Sequence, residues 1–499
     1  MAFELFVVLY YCTFIYEQIL SLQHLVKYLF SINKKIYDLK ERRFVMKTIN
    51  YQELTKPYQE EMMKSLKEFI AINSVYDELT VDKENPFGKG VSKALKYIEN
   101  LAKKDGYIVK NYDNMVVEIL TNDLEPNVTI MAHADVVPVG TGWPQDPFEL
   151  AEVGDFLYAR GVADDKGPAL VAYYALKALR DNNLLGNYQV RLLIGGNEER
   201  GSACMEHYFK TLKKKQPTYG FSPDSAYPLT YAEKGIGGFL VKKEIEFPEV
   251  ISMKGGVASN SVIEKCEVLM KEDLNFIAYL NDNDVDYSYL AKENEMLLTF
   301  NGLAAHGSVP WMGKNAAMNA VKYLGEYYKN EDFKLLYKLY SPLRGEGVNA
   351  AAHSEDMGDN SLNVGLFSYE NNKLEMVVNF RHVETVTSEQ MMNNIIEASK
   401  PFEVVNGGFS PVLYFPKDHP LIQTLLRVYQ EETGDYETKI IASGGGTYAK
   451  EADNIVAFGM EYPGHDPKMH GVNENTKKSY LFESMGIYAH AIIELGKLI

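Results

Sequence analysis

Apolar runs of strand length alternate with helical patterns in the first half of this chain, and that alternation limits its fold more than any other feature. Such runs lie at residues 107–110, 115–120 and 128–132, before a helical pattern over 167–180 and another run at 188–194. Strands that alternate with helices indicate an α/β layer fold with a largely parallel sheet. In sheets of this kind, ligands bind beyond the carboxyl ends of the strands.

The pattern changes after about residue 231 and returns near residue 411, where helical patterns resume over 421–432 and 478–498. The intervening part is typical of a separate α+β unit, since strand-like segments at 238–244, 295–300 and 373–380 flank a helical pattern at 315–328. We therefore predict a catalytic domain with helices on both faces of a mostly parallel sheet, formed by residues 46–231 and 411–499. An inserted α+β lid domain, residues 232–410, interrupts it.

The charge balance excludes some classes of partner. The sequence has Lys+Arg 51 and Asp+Glu 68, a formal net charge of −17 without a compensating basic block. Nucleic acid and anionic membrane surfaces would repel such a protein. Its 3 cysteines are too few and too scattered for a disulfide framework or a thiolate zinc site. These features favour a cytoplasmic protein.

The N-terminal extension, residues 1–45, departs from this pattern. Its apolar run at 5–16 is shorter than the about 20 residues that a membrane-spanning helix needs, and it lacks the features of a secretory signal. The extension either precedes a true start at Met46, or forms an amphipathic helix, or acts as a weak membrane anchor. We expect no membrane association.

Three early segments place imidazoles or carboxylates where a strand ends or a helix begins. His133 follows the run at 128–132, and Asp135 could fix its tautomer by accepting the proton of the second ring nitrogen. Asp164, just before the helix at 167–180, could bridge two cations or merely favour the helix N-terminus. Glu198 and Glu199 follow a strand and point opposite ways in an extended chain, so one can bind metal while the other handles water.

Two later segments complete the set. Asp224 ends a short apolar run, and His465 and His470 lie in the segment EYPGHDPKMHGVNE. Each segment alone has an ordinary structural explanation, such as a turn, a helix cap or a solvated loop. Together, imidazoles and carboxylates after successive strands, without a thiolate, indicate a hydrolytic site that holds two metal ions.

The sequence resembles the dinuclear zinc metallopeptidases that include peptidase V dipeptidases, carnosinases, carboxypeptidase G and succinyl-diaminopimelate desuccinylase. The resemblance runs from about Met46 to the C-terminus, and peptidase V is the closest branch. It is carried by HADVVPVGTGWPQDPF, ARGVADDKGP, NEE, FSPDSAYP, GGGTYAK and HGVNE.

The resemblance implies roles for the residues of these motifs. His133 and Asp224 would bind one metal ion, Glu199 and His470 the other, and Asp164 would bridge both. Asp135 would orient His133, Glu198 would be the general base, and a cis peptide would link Asp164 to Asp165. The spacing favours His470 over His465 as the ligand. The resemblance favours zinc, and the ligand types also accept manganese or cobalt.

The predicted lid contributes residues as well. His306 matches the family's oxyanion-stabilising histidine, and Asn260 and Arg381 match residues that contact the substrate backbone or carboxylate. The loop at 442–450, with Ser443, Gly444 and Gly445, could present backbone N–H groups to a terminal carboxylate.

The implied function is metal-dependent hydrolysis of dipeptides with a free amino terminus. The alternatives are an N-acyl amino-acid deacylase or desuccinylase with the same metal ions, and a non-catalytic peptide-binding protein. The long lid favours a monomer that supplies His306 to its own site, and a dimer through the lid is the alternative.

Overall fold

The computed structural model describes residues 49–499, so the predictions for residues 1–45 lie outside the described part of the chain. A nine-stranded sheet holds the first hydrophobic core. Its central pairs are parallel and its outer pairs are largely antiparallel. In spatial order the strands are Ile108–Tyr112, Val116–Leu120, Gln189–Gly195, Asn127–His133, Tyr219–Ser222, Ile455–Ala457, Thr230–Glu233 and Leu413–Tyr414, with Ile441–Ser443 beside Thr230–Glu233.

Helices cover both faces of this sheet, and the predicted α/β class is confirmed. The helix Lys166–Asp181 is buried along almost its whole length, because it packs against the sheet, the C-terminal helix Lys478–Gly496 and the helix Gln59–Ile70. Its predominantly apolar and small side chains suit this position. The other helices of this part are Tyr51–Thr55, Gln59–Ile70, Lys89–Lys104, Ala203–Glu206 and Pro420–Thr433.

A second, eight-stranded antiparallel sheet has its own core. Its strand Lys265–Lys271 alternates between exposed and buried residues, as a sheet with one covered face requires. The helices of this part are Leu274–Asp282, Ala316–Tyr327, Glu331–Tyr340 and Ser388–Ala398. In spatial order the strands are Tyr287–Lys292, Glu295–Asn301, Lys265–Lys271, Val250–Gly255, Ser361–Glu370, Lys373–His382, Gly235–Glu244 and Glu403–Phe409.

The two sheets are joined directly by the chain. Lys234 alone separates the strand Thr230–Glu233 of the first sheet from Gly235–Glu244 of the second. The buried ammonium group of Lys450 donates a hydrogen bond to the carbonyl of Lys234 at this junction.

Short elements complete the described part. Three small sheets pair Phe156–Tyr158 with Ala151–Val153 and Asn475–Lys477, Ser225–Ala226 with Met460–Glu461, and His353–Ser354 with Gly358–Asp359. The remaining short helices are Lys56–Tyr58, Glu78–Thr80, His207–Thr211, Pro310–Met312, Glu346–Val348 and Tyr448–Glu451. Within residues 49–499, no helix combines the length and the apolar character needed to cross a bilayer.

Candidate metal centre and substrate cleft

His133 is the last residue of a central strand, and its side chain is fully buried. Its Nδ1 lies 2.9 Å from the main-chain carbonyl oxygen of Asp135 and 3.5 Å from that residue's carboxylate. The other ring nitrogen, Nε2, faces two carboxylates, 3.0 Å from Asp164 Oδ1 and 3.6 Å from Asp224 Oδ2. Contacts to Nδ1 therefore orient the ring so that Nε2 is directed at the predicted ligands.

The carboxylate of Asp164 lies between two imidazoles. Its Oδ2 is 2.9 Å from Nε2 of His470, on the opposite side from His133. Although burial opposes ionisation, these two imidazoles lower the pKa of Asp164. Glu199 Oε2 lies 3.2 Å from the same nitrogen of His470. One carboxylate with a different ring on each oxygen has the arrangement that a bridging ligand requires.

Two overlapping groups of donor atoms result from this arrangement. His133, Glu198 and Asp224 form one group, and His133, Asp164 and Glu199 form the other, with the atoms of each group within 4.8 Å of one another. Glu198, the predicted general base, is therefore also a member of one of the two groups of possible ligands. Burial and the negative charge of Asp224 hold the pKa of Glu198 well above its usual range.

Divalent cations fit the chemistry of this cluster. Within the described chain, His133 Nε2 and Glu199 Oε1 are buried polar atoms that make no hydrogen bond. Burial and the charge of Asp164 raise the pKa of Glu199 to about 7 and also raise that of Asp224. Buried, mutually repelling carboxylates are costly unless a positive charge compensates them. Nitrogen and oxygen donors without sulfur suit zinc, manganese or cobalt.

Main-chain hydrogen bonds support these side chains. Both oxygens of Asp135 accept from the peptide N–H groups of Glu198 and Glu199, each at 3.1 Å. Asp165 Oδ2 accepts from the N–H of His133 at 2.9 Å and makes no capping bond to the helix that follows it. The predicted cis peptide between Asp164 and Asp165 is present. Sequence reasoning missed this contact of Asp165, although the paired aspartates marked the position.

The structure separates the two histidines of the late segment. His465 Nε2 lies 2.9 Å from Asn475 Oδ1, and its ring packs near Phe156 and Tyr480. His470, by contrast, contacts Asp164. Of these two histidines, His470 is the one whose ring nitrogen contacts the carboxylate cluster.

A cleft of about 1320 Å³ joins this cluster to residues of the second sheet. Arg381 Nη2 lies 3.3 Å from His306 Nε2, and the Nδ1 atom of the His306 ring is 2.7 Å from Ser308 Oγ. Loss of surrounding water, together with the nearby guanidinium group of Arg381, lowers the pKa of His306 to about 4. Asn260 also lines the cleft, and its carbonyl accepts from Gly307 N at 2.7 Å. All of these groups belong to one chain.

The glycine-rich loop forms another wall of the cleft, to which Ser443 and Gly445 contribute. The N–H of Gly445 donates to Ser443 Oγ at 2.9 Å, so this donor is already used within the loop. Gly444 is not among the lining residues, and its carbonyl accepts a hydrogen bond from Arg381. The loop therefore presents its carbonyl to the lid residue, a contact that sequence reasoning did not anticipate.

Glu461 and Asn379 also line the cleft, and sequence reasoning missed both. Glu461 pairs with Ala226 in a short parallel ladder next to Asp224. Burial and the charges of Asp224 and Asp164 raise its pKa to about 7. The only sequence signal was its place at the start of the segment that carries His465 and His470.

The model of the peptidase family M20/M25/M40 matches residues 129–494. A protein of Staphylococcus aureus strain MRSA252, named "Putative dipeptidase", is 33% identical over 467 residues, which cover 89% of this chain and 99% of the relative. This chain belongs to the M20/M25/M40 peptidase family. The predicted resemblance is confirmed, and the protein is a hydrolase of the peptidase class.

Solved structures with this fold include human carnosine dipeptidase 1, with a TM-score of 0.54 and 15% identity, covering 90% of this chain and 99% of that one. An M20 family metallo-carboxypeptidase from Sulfolobus solfataricus has a TM-score of 0.56 and 18% identity, covering 88% and 100% of the two chains. At these identities, the likeness concerns the fold. The M20 assignment itself rests on the sequence matches.

Proposed function

We propose that this M20 peptidase is a dipeptidase that uses two divalent cations, zinc or else manganese or cobalt. The observation that carries the proposal is the Asp164 carboxylate, which has His133 on one oxygen and His470 on the other, at 3.0 and 2.9 Å. His133 and Asp224 would hold one cation, Glu199 and His470 the other, and Asp164 would lie between them. The relatives named as dipeptidases favour this substrate class.

When bound, the cations would lower the pKa of a shared water and polarise the scissile carbonyl. Glu198 would take the proton of the attacking water on its carboxylate and later deliver it to the leaving amine. The raised pKa of Glu198 suits a group that must both accept and return a proton. Asp135 would keep this glutamate in place by accepting hydrogen bonds from the main-chain N–H groups of Glu198 and Glu199.

The opposite wall of the cleft would bind the rest of the substrate. His306 would contact the tetrahedral oxyanion, while Asn260 and Arg381 would contact the substrate's backbone or carboxylate. Ser443 and Gly445 of the glycine-rich loop line the same cleft and would border the substrate. His306 reaches the cleft from the same chain, which supports a monomer. Because carboxylates line one side and a guanidinium group the other, a zwitterionic dipeptide would match the charge of both sides.

Hydrolysis by cation-loaded protein tests the proposal, with a panel of dipeptides beside a panel of N-acyl amino acids. Glu198→Gln keeps the size of the side chain but removes the base, so we expect dipeptide turnover to fall by about 10²–10⁴-fold with cation binding retained. Glu118→Gln is the matched control, because Glu118 is a buried carboxylate in the same sheet that contacts Tyr112 and Tyr208 instead.

The panel also distinguishes the alternatives. Activity on N-acyl amino acids alone would make the protein a deacylase that uses the same cluster. Cation binding without hydrolysis of either panel would indicate a peptide-binding protein and would contradict the proposal.

A further inference from the structure

Behind the metal centre, a second carboxylate is surrounded by donors from the segment that leads to Asp164. Glu474 Oε1 accepts from the N–H groups of Ala163 at 2.9 Å and Asp164 at 3.2 Å, and Oε2 accepts from Gly161 at 3.1 Å. Glu474 is 0% exposed. Three main-chain donors that converge on one buried side chain fix the path of the backbone just before the central ligand.

Arg160 completes the arrangement. Its Nη1 donates to Glu474 Oε2 at 2.6 Å, and both side chains are buried. Its Nη2 donates to the carbonyl oxygens of Gly471 at 3.0 Å and Pro138 at 3.4 Å. Gly471 directly follows His470, and Pro138 lies on the loop that leaves His133 and Asp135. The guanidinium group therefore contacts the backbone of two further ligand-bearing segments.

Stability alone does not account for such a pair. Removing two charges from water is costly, and apolar residues of similar volume are often as stable as a buried ion pair. What apolar residues would not provide here is a set of directed hydrogen bonds to three chain segments at once. Each of these segments carries a residue that we assign as a ligand, namely Asp164, His470 and His133.

We propose that Arg160 and Glu474 form a positioning pair, which holds Asp164 in register with His470 and His133 so that one carboxylate can serve two cations. Neither side chain is itself a ligand, since the donors around Glu474 occupy both of its oxygens. The proposal rests on the cation site of the proposed function but not on its substrate.

Zinc affinity, measured by competition with a chelator, and the visible spectrum of the Co²⁺-loaded protein test the pair. Glu474→Gln replaces one oxygen by an amide NH₂, which would face N–H donors and could not accept from them. Loss of a group that orients metal ligands typically weakens binding by about 10–100-fold, and we expect a loss of that size together with an altered cobalt spectrum. Glu118→Gln again serves as the control for loss of a buried carboxylate, with zinc affinity and spectrum unchanged.

Arg160→Lys provides a second test in case Glu474→Gln does not fold. It keeps the positive charge but loses the forked contacts to Gly471 and Pro138, so zinc affinity should again fall by about 10–100-fold. A folded variant at either position with the zinc affinity and cobalt spectrum of Glu118→Gln would overturn the proposal.

Dipeptide turnover by the wild-type protein is measured alongside. If that protein binds zinc but cleaves no dipeptide, the proposed function fails, while the affinity comparison still decides whether the pair positions the ligands.

Discussion

The two sides of the cleft are built differently. On the cation side, the side chains of His133 and Asp164 are 0% and 7% exposed, whereas that of His470 is 58% exposed. Their neighbouring segments are joined by hydrogen bonds that main-chain N–H groups donate to carboxylates, as at Asp135 and Glu474. On the lid side, His306 keeps part of its surface exposed, and the buried Arg381 donates a hydrogen bond to the carbonyl of Gly444 in the glycine-rich loop.

This difference has a functional meaning. Ligands that share a cation must be held to within fractions of an ångström, and buried backbone contacts provide that precision. A substrate must enter and leave, so the groups proposed to hold it lie on the other wall of the cleft, apart from the buried contacts of the ligands. We expect changes to the assigned ligands on the cation side to affect cation binding and hydrolysis together. Changes on the lid side should affect hydrolysis alone.

Cation removal should give the largest effect. Chelation should lower dipeptide hydrolysis by at least about 10⁴-fold, because the activated water accounts for much of a peptidase's acceleration of at least about 10⁶-fold. It should also destabilise the fold, since buried Asp164, Glu199 and Asp224 lose their counter-charge. Free zinc at 100 times its Kd should raise the free energy of unfolding by about 2.7 kcal/mol per site. Thermal unfolding with and without zinc measures this change. An unfolding temperature that does not respond to zinc would contradict the predicted cation side.

Loss of the lid histidine should give an intermediate effect. His306→Ala should lower kcat by about 10²–10³-fold, the usual cost of an oxyanion donor, and leave zinc affinity unchanged. Since its pKa is lowered to about 4, the imidazole is neutral above that pH, so the loss should be constant from pH 5 to 8. His353→Ala is the control, because His353 is another exposed histidine within the predicted lid, residues 232–410, and pairs with Asp359 instead. Weaker zinc binding by His306→Ala would remove the distinction between the two sides.

Of the two late histidines, His465 should give the smallest effect. His465→Gln should change zinc affinity and turnover by less than about twofold, because the ring contacts Asn475 and aromatic side chains rather than the carboxylate cluster. His470→Gln, measured by the same chelator competition, should abolish tight binding at one of the two sites. Equal losses from the two variants would mean that the cation side extends beyond the residues assigned to it.

Much of the fold was accessible from local sequence patterns. The strand predicted at 188–194 is present at Gln189–Gly195, and the helix predicted at 167–180 is present at Lys166–Asp181. Both segments are long, apolar and bounded by clear breaks, so burial and local preference agree. The proposed ligands were accessible for a related reason: functional side chains follow the ends of parallel strands, which fixes where they must meet.

The contacts that support the site were not accessible in this way. Glu474 lies next in sequence to an ordinary strand and has no local feature that marks it as the acceptor for Asp164. Asp165 had an equally good local explanation as a helix cap, and the structure gives it the N–H of His133 instead. A hydrogen bond between residues far apart in sequence depends on packing that no local pattern contains.

The sequence by itself determined the α/β class, the M20 family and the residue types of a cation-binding cluster, because periodicity and motif spacing are local properties. Only the tertiary structure placed His470 at the carboxylate cluster and His465 beside Asn475, brought His306 and Arg381 into the same cleft, and joined Arg160 to Glu474. Distances across hundreds of residues depend on how both cores pack, and that packing exists only in the folded chain.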